Sequence, residues 1–242
     1  MMRYKKKAEI DEISLAGHES HIGAAGASEL SGRKRSILSP ARRHFLLLLY
    51  FPIYLLAFFL LERNITTSYW VSYFPMLDDR IPFLPCFVIP YYLWYPYIFI
   101  PGIYFLFRDV PTFKLYMYNV ILGYSLALAI CALFPNGQDL RPTSFPADTL
   151  FTRMVRAIYS VDTNTNVLPS MHVIGTLAVV SAVMHSPTTR SSLIRVSFIL
   201  IAALICASTV FIKQHSILDI FAGILISTLV HLLVYKFFRH PV

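Results

Sequence analysis

A chain of 242 residues that is 56% hydrophobic and only 14% charged has too few ionisable groups to clothe a soluble globule of its size. Its net charge of +8 is unevenly spread, in a way that suits membrane topology and argues against nucleic-acid binding. Cys86, Cys131 and Cys206 all lie inside apolar runs without metal-binding spacing, so no disulfide is expected.

Residues 1–43 are polar, with Lys5, Lys6 and Lys7 near one end and Arg42 and Arg43 at the other. They lack the apolar stretch of a signal peptide and are expected to form a disordered cytoplasmic tail. One membrane domain, residues 44–242, follows. It contains six apolar runs, at 44–61, 84–107, 115–134, 168–184, 193–212 and 217–238. About twenty apolar residues cross a hydrocarbon core of about 30 Å. The expected fold is therefore all-α, an integral bundle of six transmembrane helices with the active site at one membrane face.

Residues 65–83 mix aromatic and charged side chains, as an interfacial loop or short helix does, and Asp78 and Asp79 are expected to solvate it. The second run carries Pro85, Pro90, Pro96 and Pro101 and should be kinked or locally unwound. The longest polar stretch after the tail, residues 135–167, holds Arg141, Asp162 and a Thr-Asn-Thr-Asn run, and reads as a functional loop. Pro169 and Ser170 suit the entry to the fourth run.

Orientation follows from the basic residues. With the N-terminus inside, 15 of the 21 Lys and Arg fall on the cytoplasmic side, which places both termini there. Arg141, His172 and His215 then meet at the external or lumenal face, although they are far apart in the chain.

These residues suit phosphoryl transfer. His215 and Asp219 are four apart and would share one face of a helix, where the carboxylate fixes the tautomer of the imidazole. His215 can then attack phosphorus, and His172 can protonate a leaving alkoxide. Arg141 and Lys213 can hold phosphate oxygens, and backbone amides near Ser170 and Met171 form an anion seat. No metal and no cofactor is required: the sequence has no carboxylate cluster for magnesium, and two histidines are too few for zinc. His185, His231 and His240 fall on the opposite side and are expected to be structural.

The stretch Pro169-Ser170-Met171-His172 resembles the second signature of the type 2 phosphatidic acid phosphatase (PAP2) superfamily. Ser208 with His215-Ser216-Ile217-Leu218-Asp219 resembles its third, Ser-Arg-x5-His-x3-Asp, and Arg141-Pro142 resembles the end of its first, Lys-x6-Arg-Pro. The resemblance implies a lipid phosphatase or phosphotransferase whose substrate is a lipid phosphate in the bilayer. It makes His215 the nucleophile that becomes a phosphohistidine, Asp219 its orienting partner and His172 the general acid. Phe134 and Thr209 stand where the family has Lys and Arg, and Lys213 is the expected replacement for one of these cations. The Lys213-Gln214-His215 form is similar to the inositol phosphorylceramide synthase-like branch, which includes transferases. The contrasting expectation is a lipid-phosphate-binding protein of the same fold without turnover.

Overall fold

The computed structural model describes residues 40–64, 69–145 and 147–238. The chain divides into two units, Met1–Arg43 and His44–Val242. The polar tail expected over residues 1–43 lies, as far as residue 39, outside the described residues.

A 3₁₀ segment, Pro40–Leu49, runs into α1 (Tyr50–Asn64). There follow β1 (Trp70–Val71), α2 (Pro75–Asp78), and a 3₁₀ turn (Pro85–Phe87) that leads into α3 (Val88–Arg108). The remaining elements are α4 (Val110–Leu133), β2 (Asn136–Gly137), α5 (Leu150–Val161), α6 (Met171–His185), α7 (Ser192–Phe211) and α8 (Ile217–Phe237).

Among the described residues, five helical stretches are long and apolar enough to cross a membrane: Arg42–Asn64, Pro85–Arg108, Val110–Leu133, Ser192–Phe211 and Ile217–Phe237. The run expected as the fourth span becomes α6, whose 15 residues rise about 22 Å at 1.5 Å per residue. α6 is the centre of the bundle, with α3, α4, α7 and α8 packed around it. Its Ile174, Ala178, Val179, Ala182 and Val183 are buried in that core. α1 packs against α4 and buries Tyr54 alone among its own residues.

Local chemistry explains the breaks. Asp109 alone separates α3 from α4. Its carboxylate accepts the Thr112 amide at 3.2 Å and the Ser186 hydroxyl at 2.6 Å, and Pro111 falls in the first turn, where a missing N–H is harmless. This cap starts α4 ahead of the expected residue 115. Pro96 and Pro101 lie within α3, which still continues from Val88 to Arg108. Tyr116 of α4 donates to the Ile98 carbonyl at 3.2 Å, beside the turn that Pro101 deprives of a donor.

A polar layer covers one end of the bundle. β1 and β2 pair in parallel, Trp70 opposite Asn136 and Val71 opposite Gly137, and Gly137 also bridges to Thr165. A Cβ at Gly137 would lie 2.6 Å from the Tyr69 ring and 2.9 Å from the Asn164 carbonyl oxygen, so only glycine fits this crossing. Residues 135–167, read from sequence as a loop, contain the 12-residue α5. It begins with a capping box in which Thr149 Oγ1 accepts the Thr152 amide at 3.2 Å and Thr152 Oγ1 accepts the Thr149 amide at 2.8 Å. Its Val155 and Ile158, three apart, pack on Val88, Tyr91 and Ile212. The polar average of the stretch conceals this inward face.

The close approach of α8 to α6 depends on Gly223. A Cβ there would lie 2.9 Å from Val173 Cβ and 3.1 Å from the Ser170 carbonyl oxygen, and neither neighbour is a flexible chain end. Gly223→Ala is therefore expected to cost about 1–3 kcal/mol. Thermal melting of the purified protein in detergent measures it, and an unchanged melt would mean that the two helices separate freely.

Candidate active site

The start of α8 is built by Ser216 and Asp219. Ser216 Oγ accepts the Leu218 amide at 3.2 Å, and Asp219 Oδ2 accepts the Ser216 amide at 3.0 Å. The same Oδ2 accepts from His215 Nδ1 at 3.0 Å. A carboxylate can only accept, so Nδ1 carries a proton here, and in the neutral ring Nε2 keeps its lone pair. Asp219 is wholly buried, and its Oδ1 accepts the Ser72 hydroxyl at 2.5 Å. His215 precedes the helix cap. The pair therefore meets through the capping turn, and not along a helical face as its four-residue spacing suggested.

Lys213 creates that turn. Its φ of 55° is left-handed, which is uncommon for a residue with a side chain. The reversal lets the Gln214 and His215 amides both donate to the Thr209 carbonyl, at 2.9 and 3.1 Å.

His172 is the second residue of α6. Its ring packs between Tyr91 and Trp94, with centroids at 4.7 and 4.6 Å, and meets the His215 ring edge-on at 5.6 Å. Both histidines line a cavity of about 350 Å³. Asp162, Thr163, Thr165, Asn166 and Gln214 give it a polar wall, while Tyr54, Leu55 and Phe58 of α1 and Trp94 of α3 give it an apolar one. Met171 also lines this cavity, and the Tyr54 hydroxyl donates to its Sδ.

Arg141 stands behind that wall. Its Nη2 donates to the carbonyls of Asp162 and Thr163 at 2.6 and 2.7 Å and to Gln214 Oε1 at 2.7 Å, and Nη1 donates to the Tyr159 carbonyl at 3.3 Å. Its guanidinium lies 4.4 Å from the centroid of the Tyr159 ring. Burial lowers its pKa below the ordinary value, while Tyr159 and Asp162 act in the opposite sense. Pro142 follows, half-buried. Arg141 thus ties the end of α5 to the residue before the nucleophile candidate.

Several expected roles are placed differently. Lys213 does not line the cavity of the histidines. Its Nζ donates to the carbonyls of Asp78 and Ile81 at 2.8 and 2.6 Å, in a second cavity of about 480 Å³ with Asp79 and Asp139. The Ser170 amide, expected to hold an anion, donates to the Asp219 carbonyl at 3.1 Å, and the Ser170 side chain is fully buried. Asp78, expected to solvate a loop, is 2% exposed. It accepts the Ser216 hydroxyl at 2.6 Å, the Ile217 amide at 2.9 Å and the Phe74 amide at 2.8 Å. Phe134 is largely exposed at the end of α4, and Thr209 is buried with its hydroxyl on the Cys206 carbonyl at 2.8 Å. Among the described residues, no three His, Cys, Asp or Glu side chains are grouped to hold a metal ion.

Three further residues shape the site. Gln138, fully buried, donates to the carbonyls of Lys213 and Gln214 at 3.0 and 3.3 Å. Glu62, at the end of α1, accepts from Asn166 Nδ2 and Thr165 Oγ1 at 2.6 Å each, and from the Thr163 hydroxyl. Ser72 holds Asp219, as above. Only the polar character of Gln138 and Glu62 at the edges of apolar runs signals them in the sequence.

A model of the family described as the PAP2 superfamily matches residues 118–241. Among solved structures, the crystal structure of Aquifex aeolicus LpxE is similar, with 20% identity, coverage of 69% of this chain and 89% of that chain, and a TM-score of 0.47. Curated proteins give no match.

Arg141→Lys is expected to lower stability by about 2–3 kcal/mol, because one ammonium cannot satisfy the acceptors of a planar fork. Amide hydrogen exchange over residues 159–165 should quicken with it. Unchanged melting and exchange would remove Arg141 from this scaffold.

Proposed function

Because the chain belongs to the PAP2 superfamily, we propose that it is a multi-pass membrane phosphatase that removes phosphate from a lipid through a phosphohistidine on His215. The observation that carries this is the His215–Asp219 pair beside His172 in the lining of one cavity. The lipid enters from the bilayer past the apolar wall of α1, and its phosphate lies in the cavity within reach of both imidazoles. The first amides of a helix have no acceptor within it, so those of Met171 and His172 at the start of α6 supply the anion seat.

Nε2 of His215 attacks phosphorus, forming the N–P bond as the ester P–O bond breaks. Protonated His172 gives its proton to the departing alkoxide. Water then attacks the phosphohistidine and loses a proton to His172, the N–P bond breaks, and inorganic phosphate leaves. Asp219 keeps the Nδ1 proton in place and stabilises the imidazole when it becomes charged. The histidines supply both the nucleophile and the acid, so the cycle is metal-independent.

In this reading α6 also spans the membrane, fourth of six in chain order, and the starts of α6 and α8 share one membrane face. The bias of Lys and Arg assigns that face to the external or lumenal side and both termini to the cytoplasm. A second reading is favoured by the polar wall of Thr163, Thr165 and Asn166 beside His215. There a hydroxyl of inositol or of a second lipid replaces water, as the likeness of Lys213-Gln214-His215 to the inositol phosphorylceramide synthase-like branch implies.

The test is phosphate release by the purified protein in EDTA from phosphatidic acid, a polyprenyl diphosphate, and phosphatidylinositol with ceramide. Wild type is expected to release phosphate, and His215→Ala to lose at least about a thousandfold in rate. Acid-labile phosphate should be trapped on the wild-type chain only. Asp219→Asn is expected to lower kcat by roughly 10²–10⁴-fold with the fold intact. A new head-group lipid without free phosphate would establish the transfer reaction instead. Lipid binding without either product, or a requirement for a divalent ion, would overturn the mechanism.

A further inference from the structure

The histidine–carboxylate pair is held from outside its own motif. Residues 69–83 connect α1 to α3 over the polar end of the bundle and read from sequence as a surface connector. Two of their side chains are instead buried against the start of α8. Ser72, with no exposed surface, gives its hydroxyl to Asp219 Oδ1 at 2.5 Å. Its own amide is fixed on the Gly137 carbonyl at 2.7 Å, next to the β1–β2 pair. Asp78 binds the Ser216 hydroxyl and the Ile217 amide, so it caps α8 from another segment, while its backbone carbonyl takes the Lys213 ammonium. The two residues therefore bracket His215, one holding its carboxylate partner and the other its chain neighbours on both sides.

The geometry points to Ser72 and Asp78 as positioning residues for phosphoryl transfer, Ser72 acting through Asp219 and Asp78 acting through the Ser216–Ile217 cap and Lys213. This rests on the reading of His215 as nucleophile. A carboxylate held on one oxygen only can rotate about its last bond, and Nδ1 of His215 then follows it. With Ser72 on Oδ1 and the Ser216 amide on Oδ2, both oxygens are fixed and the line from Nδ1 to Nε2 is aimed. Asp78 has no contact with the cavity of the histidines; it sets the backbone that carries them.

The experiment compares wild type, Ser72→Ala, Ser72→Thr, Asp78→Asn, Asp219→Asn and the double variant Ser72→Ala/Asp219→Asn, as full-length proteins matched for thermal melting. Ser72→Ala and Asp78→Asn are each expected to lower kcat by about 10–100-fold, the worth of one buried hydrogen bond to a charged group, with KM within about twofold of wild type. Ser72→Thr retains the hydroxyl and should recover most of the rate. In the Asp219→Asn background, Ser72→Ala should cost less than about twofold, because the group it acts through is already altered. An unchanged kcat in both single variants, or the same loss in both backgrounds, would overturn the proposal. If wild type yields neither free phosphate nor a new head-group lipid, the enzymatic reading fails and the placement is judged by chemical labelling. Diethyl pyrocarbonate acylation of His215, followed by mass spectrometry, should then slow by at least about threefold in Ser72→Ala through the loosened tautomer. Equal labelling rates would end the proposal by that route.

Discussion

A carboxylate without access to water governs this end of the molecule. Asp219 is fully buried, and an unpaired buried carboxylate would cost several kcal/mol or take up a proton. Its donors therefore have to be fixed in place, and they come from separated parts of the chain. The Ser216 amide and His215 are its near neighbours, whereas Ser72 arrives from the connector after α1. The backbone carbonyl of the same residue takes the Ser170 amide at the entry to α6. One residue thus joins the starts of α6 and α8 to β1, and the distance between the two histidines follows from that junction.

Around it the polar layer works by matching side-chain donors to backbone carbonyls. Arg141 gathers the carbonyls that end α5, Gln138 those of Lys213 and Gln214, and Lys213 those of Asp78 and Ile81. Irregular backbone near a bilayer needs such partners, because no water is at hand in the apolar region to replace them. The cations expected to hold substrate are for this reason engaged with the protein. What faces the cavity is imidazole, the start of α6, threonine hydroxyls, the amides of Asn166 and Gln214, and Asp162, with aromatic and aliphatic side chains of α1 and α3 opposite.

Much of this was legible from the residues. The apolar runs mark the long helices, since length and hydropathy suffice for them. His172, His215 and Asp219 could be singled out because an ionisable group beside a membrane-length run is costly and needs a reason to be there. The helix α5 was hidden, since Val155 and Ile158 are too few to lift the average of a polar stretch. Asp78 reads as part of a wet surface because of its neighbour Asp79 and the surrounding aromatics, and only the fold brings the Ser216 hydroxyl to it. Lys213 departs from its expected place for a backbone reason: its φ is left-handed and its side chain lies in a second cavity, and no spacing argument carries that information. Ser72 gave no signal at all, being one serine among many.

The family match begins at residue 118, whereas Ser72 and Asp78 lie well before it, on a connector between helices. The signatures by which such chains are recognised therefore record the proposed reacting groups and omit part of the polar frame that holds them. Two proteins with the same His, His and Asp letters can differ in how firmly the imidazole is pointed, and a motif search would score them alike. For chains of this kind, the stretch between the first two long helices is where an intact signature and a competent site can part company.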